Sequence, residues 1–154
     1  MKISILLPYK ENFSPIYAGA VSLFIKDTVT LSKFKRNITV FGNTNLKKIF
    51  NLKYKNIELK KNLIQSGSKI YVKEFLKFEN NDPSDLIEIH NRPNYFHLIH
   101  EKINHQKIVL YFHNDPLTMT GSKSVVDRKK LLNHATKIIF NSHWSRKRFL
   151  QGIE

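Results

Sequence analysis

The chain has 154 residues, of which 41% are hydrophobic and 12% aromatic, an ordinary globular balance that supports a packed core and carries no bias toward disorder. It has no cysteine, which excludes a disulfide scaffold and a thiolate metal site and fits a reducing compartment, the cytoplasm. Its net charge of +14 bounds the sign of a partner surface but not its identity.

A chain of this length predicts one domain. The opening apolar run, Ile3 to Leu7, is too short for a secretory leader, and no stretch approaches a membrane span. Lys2 to Leu7 reads as a short buried strand, broken by Pro8 and a loop through Pro15. A helix follows from about Ala18 to Phe34, with Val21, Phe24, Ile25 and Leu31 on one face. Asn37 to Gly42 is a second strand, and Leu46 to Phe50 a short helical piece. Tyr54 to Leu59 reads as a weak, lysine-rich strand, which places it toward a sheet edge. A helix from Lys69 to Phe78 precedes the turn cluster Asn80-Asn81-Asp82-Pro83.

The second half alternates more plainly. Strand Asp85 to Ile89 leads to a helix from Pro93 to about Asn104, and Pro93 suits a first helical turn. Strand Lys107 to Phe112, a loop to Gly121, and helix Ser124 to His134 follow. Strand Lys137 to Phe140 and helix Ser142 to Leu150 end the pattern, with Ser142 as N-cap. Short apolar strands alternating with helices predict an α/β fold, a doubly wound, Rossmann-like parallel sheet flanked by helices. Right-handed crossovers then put the loops after the first, fourth, fifth and sixth strands on one rim.

Two strands end in the same way. The run Ile108 to Phe112 stops at His113-Asn114-Asp115-Pro116, and the run ending at Ile89 stops at His90-Asn91-Arg92-Pro93. Open α/β sheets bind ligands at the carboxyl ends of their strands, so the two His-Asn pairs are expected to wall one polar cleft. Arg92 adds a cation suited to a phosphate or carboxylate. Asn114, Asp115 and Ser142 belong to the same candidate substrate rim. The plainer reading makes each pair a cap for the following helix. Gly19 and Ala20 open the first helix, whose free backbone N–H groups favour an anion.

Other chemistries fit less well. His97 and His100 share a helical face, but His100-Glu101 and His105 miss the H-E-x-x-H zinc spacing by one residue. On a helix that turns His105 about 140° away from His100. Gly121-Ser122-Lys123-Ser124 lacks the glycine spacing of a phosphate loop, and the first strand is not followed by G-x-G-x-x-G. No metal or cofactor is expected. Most of the basic residues are lysine, with arginine only at Arg36, Arg92, Arg128, Arg146 and Arg148. Readers of base sequence favour arginine in motifs, so nucleic acid is not the expected partner, whereas an anionic membrane face would attract the chain as a peripheral protein.

The succession KISILLP, YAGAVS, NITVFG, DLIEIHNRP, KIVLYFHNDP and KIIFNSHWSRKRFL resembles the amino-terminal domain of a family-four glycosyltransferase of the GT-B fold, over nearly the whole chain. The resemblance implies retaining transfer of a sugar from a nucleotide-sugar donor to a saccharide or lipid-linked acceptor, without metal, in the synthesis of cell-surface polysaccharide or glycoconjugate. It implies that His113 contacts the transferred sugar and that Gly19 and Ala20 face the donor diphosphate. Many members carry two glycines where this chain has Gly19-Ala20. The family holds its nucleotide mainly on a second domain with an E-x7-E signature, and no glutamate here has another eight residues on. The chain is therefore expected to be the acceptor-side half, inactive alone and a weak binder of nucleotide-sugar. The rival is a stand-alone basic α/β module for nucleotide or RNA. It accounts for the charge but not for the paired His-Asn strand ends.

Overall fold

The computed structural model describes residues 1–59, 66–103 and 106–153. Among the described residues it is α/β and Rossmann-like, with six strands and five α-helices, and the three strands of each of its two units pair in parallel. The chain divides into two compact units, Met1–Asp85 and Leu86–Glu154. No helix among the described residues is long and apolar enough to cross a membrane.

The first unit holds β1 (Ile3–Leu6), α1 (Ala20–Leu31), β2 (Ile38–Gly42), β3 (Tyr54–Asn56) and α2 (Gly67–Asn81). Every residue of β1 and β2 is buried, as a parallel strand covered on both faces requires. The registers Ile3↔Ile38 and Val40↔Tyr54 join the three strands. The edge strand β3 is shorter than the Tyr54–Leu59 expected.

Leu46 to Phe50 is not helical. Side chains hold that segment to other partners: Thr44 Oγ1 accepts from Leu46 N, Asn43 Nδ2 donates to Ile57 O, and the Phe50 ring packs edge-on against Phe13 at 5.1 Å. Helix α1 begins two residues later than expected and turns a different face inward. Val21, Ser22, Ile25 and Val29 are buried, while Phe24 and Leu31 are exposed.

Helix α2 carries a buried carboxylate. Glu79 Oε1 accepts from Ser4 Oγ at 2.5 Å, and Oε2 accepts from Ser84 N and Ser84 Oγ at 2.9 and 2.7 Å. A buried carboxylate is tolerable only when donors surround it, and these bind α2 to β1 and to the turn that follows.

The second unit holds β4 (Leu86–His90), α3 (Pro93–His100), β5 (Lys107–Phe112), α4 (Val125–His134), β6 (Lys137–Phe140) and α5 (His143–Leu150). Registers His90↔Tyr111 and Tyr111↔Ile139 set the strand faces. Ile87, Ile89, Ile108, Leu110 and Phe112 lie on one face and are all buried. Phe149 of α5 closes on Phe112 and Phe140 with ring centroids 5.4 and 5.3 Å away. Helix α3 ends at His100, short of the end expected near Asn104; Asn104 and His105 lie outside the described residues.

Candidate functional site

The opposite face of β4 and β5 carries the site. Strand side chains alternate, so Glu88 and His90 point one way from β4 and Tyr111 and His113 the same way from β5. Register opposes His90 to Tyr111, and their rings stack at 4.5 Å with planes 9° apart. The His113 ring lies nearly parallel to His90, 5.3 Å away. His90 Nδ1 and His113 Nε2 are 3.0 Å apart, and His90 Nε2 is 3.3 Å from Glu88 Oε2. The carboxylate and the two imidazoles thus form a continuous hydrogen-bonded chain that ends at the strand's carboxyl rim.

The environment keeps His113 neutral. Burial first, and the neighbouring His90 second, push its pKa down to about 4. Tyr111 is pushed up, by burial and then by the Glu88 charge. His90 itself is 1% exposed, so within the pair His113 is the ring nearer solvent. The sequence puts His113 on the rim of a cleft shared with His90; the structure makes it half-buried, stacked and in direct contact with that histidine.

The backbone around the pair is clasped. Asn91 is buried and has a left-handed φ of 57°, a conformation asparagine tolerates better than most residues. Its N–H donates to Tyr111 O at 2.8 Å, and its Oδ1 accepts from His113 N at 3.3 Å. Asn141 Nδ2 donates to His113 O at 2.7 Å, tying β6 to the same point. Asn91 therefore holds the ends of β4 and β5 together.

The remaining rim residues divide between structural work and exposure. Asp115 Oδ1 accepts from Leu117 N and so caps a 3-10 turn, Pro116–Thr118. The same carboxylate takes Arg148 Nη2 at 2.9 Å and Nε at 3.2 Å, which holds it well below the usual carboxylate range. Ser142 accepts from Ser145 N at 3.1 Å and is the N-cap of α5. Arg92 donates to Asn91 O and has no carboxylate partner among the described residues. Asn114 is exposed.

The other pair of expected site residues belongs to the first unit. Gly19 is the N-cap of α1, and Ala20 is exposed. The Glu11 carboxylate fills this helix start: Oε1 accepts from Ser22 N at 3.1 Å, and a Cβ on Gly19 would lie 2.1 Å from that oxygen. The anion at these N–H groups is thus the chain's own. A side chain at position 19 would have to displace that carboxylate from the helix start.

Glu88 and Tyr111 are not among the residues singled out from the sequence. Their signal is the period of two: an acidic residue two before His90, and an aromatic two before His113, in otherwise apolar runs. Among the described residues no group of three histidine, aspartate or glutamate side chains could hold a metal. His97 Nε2 donates to Gly121 O at 2.8 Å, and His100 stacks on Phe96 at 5.5 Å. Both are packing residues of α3. No protein-family model matches the chain, and no curated protein matches it.

Proposed function

We propose that the chain is the acceptor-side domain of a retaining glycosyltransferase, which transfers a sugar from a nucleotide-sugar donor to a saccharide or lipid-linked acceptor at the inner face of a membrane. The observation that carries the reading is His113, a neutral imidazole at the carboxyl end of a central parallel strand. A neutral imidazole offers one donor and one acceptor nitrogen and suits a hydroxyl better than an anion. The rim supports this choice of ligand. Asp115 is spent on Arg148, Glu88 on His90, and Asn114 stands exposed as a neutral hydrogen-bonding group. Arg92 supplies a cation for a phosphate or carboxylate on either substrate.

The reading includes a nucleotide-sugar domain, supplied on the same polypeptide or on a second chain. In that assembled transferase His113→Ala is expected to lower turnover roughly 10²-fold or more, the effect of losing a hydrogen bond made to the transition state. Full activity in the variant removes His113 from the chemistry. Calorimetry on the chain alone is the companion measurement. Saturable micromolar binding of a free nucleotide would favour the stand-alone nucleotide module instead.

A further inference from the structure

We infer that Glu88 is a positioning residue that sets the tautomer of His90 and, through it, of His113, so that Nδ1 of His113 is a hydrogen-bond acceptor. The argument follows the protons along the chain. Glu88 Oε2 faces His90 Nε2 at 3.3 Å, and a carboxylate can only accept. The proton of neutral His90 therefore sits on Nε2. Its Nδ1 is then bare and accepts, so the 3.0 Å contact requires His113 to donate from Nε2. A neutral His113 that carries its proton on Nε2 has Nδ1 bare.

The opposite arrangement places a lone pair of His90 against the carboxylate, which is repulsive. An imidazolium at His90 would donate from both ring nitrogens and reverse the contact with His113, an arrangement that nitrogen NMR distinguishes because both His90 nitrogens would then be protonated. A carboxylate that orients an imidazole through its far nitrogen is the logic of hydrolase triads and of metal-bound histidines. Here the oriented group is a second imidazole. Its Nδ1 takes an O–H or N–H donor, and the Glu88 charge behind it disfavours an anionic ligand oxygen. Applied to the proposed transferase, this makes a ligand hydroxyl the donor to His113. The tautomer itself rests on the geometry alone.

The test is nitrogen NMR on the chain labelled with ¹⁵N-histidine, near pH 7.5, where protonated and bare ring nitrogens resonate apart. Replacing each of the two histidines in turn assigns the signals. The expected wild-type spectrum shows both His90 and His113 protonated on Nε2 and bare on Nδ1. In Glu88→Leu the His113 signals are expected to move toward a mixture of tautomers, while Glu88→Gln, whose amide oxygen can still accept from His90, preserves the wild-type pattern. A wild-type His113 protonated on Nδ1 overturns the inference, and this reading needs no Glu88 variant to fold. An unchanged His113 pattern in a folded Glu88→Leu chain overturns the role of Glu88. Neither outcome touches the transferase reading, which stands or falls on turnover of His113→Ala.

Discussion

At the scale of single residues, His113 joins stability to protonation. Its folded pKa of about 4 lies below the ordinary histidine value of 6.5, so between these values the unfolded chain binds more protons than the folded one. The stabilisation is therefore complete above about pH 6.5 and is lost as pH falls toward 4. The whole shift would carry roughly 3 kcal/mol, but a half-buried ring is screened by solvent, and a loss of about 1–2 kcal/mol is expected. Thermal unfolding at pH 7.5 and pH 5 should show a drop in Tm that shrinks in His113→Gln. It should not vanish, because burial also lowers the pKa of His100, which remains in the variant. An identical drop in the variant and the wild type would show that His113 stays accessible to protons in the folded chain. The residue was legible in the sequence as a polar side chain ending an apolar run. The sequence also puts His90 on the same cleft, but not in direct contact with it. Pairing of β4 with β5 brings His90 and His113 within 3.0 Å across 23 positions of sequence, and only the register of the two strands decides that.

Elements were easier to read than their attachments. The strands from Lys107 to Phe112 and from Lys137 to Phe140 fall where the apolar runs predict them, because a buried parallel strand needs little beyond continuous β-branched and aromatic residues. The piece from Leu46 to Phe50 is not helical because Thr44 Oγ1 takes the Leu46 N–H and the Phe50 ring packs on Phe13, which outcompete a weak helical propensity. Arg128 is the attachment least visible in the sequence, one basic residue in a lysine-rich helix. It is 2% exposed; Nη1 donates to Ser122 O at 3.1 Å and Lys123 O at 2.7 Å, and Nη2 to Gln151 O at 2.6 Å. One guanidinium thereby fastens α4, the loop before it and the end of α5. The loop depends on close packing elsewhere too: Gly121 has φ of 93°, and a Cβ there would lie 2.5 Å from Asn94 N. Arg128→Ala leaves three carbonyls without their donor, at about 1 kcal/mol each, so a loss of about 3 kcal/mol is expected in urea unfolding. Arg128→Lys should recover only part, since one ammonium cannot span the three oxygens as a planar fork does. An unchanged urea midpoint in Arg128→Ala would show that water replaces the guanidinium at no cost.

For the molecule as a whole, charge is the property most plainly written in the sequence and least tied to the site. The first unit has 15 basic and 7 acidic residues and the second 11 and 5, so the excess is spread over both units rather than gathered at the rim. Within the second unit Arg148 is engaged by Asp115 and Arg128 by backbone carbonyls, which removes two arginines from any role as free readers of a partner. Exposed lysines remain, among them Lys123, Lys129, Lys130 and Lys147, and a lysine acts as a hydrated point charge. Such a surface attracts polyanions through counterion release and carries little base information. Binding to RNA, to heparin and to vesicles rich in anionic lipid is therefore expected to be comparable at low salt, and to weaken steeply and in parallel as salt is raised. Randomising the RNA sequence should change affinity by less than about threefold, below the roughly 1–3 kcal/mol that a single specific base contact supplies. The measurement is fluorescence anisotropy of labelled RNA of two unrelated sequences, with vesicle co-sedimentation beside it, across a salt series. One RNA bound far more tightly than the other, with the difference surviving salt that releases the vesicles, would mean that the basic field reads sequence. The nucleic-acid module would then displace the transferase as the function of this fold.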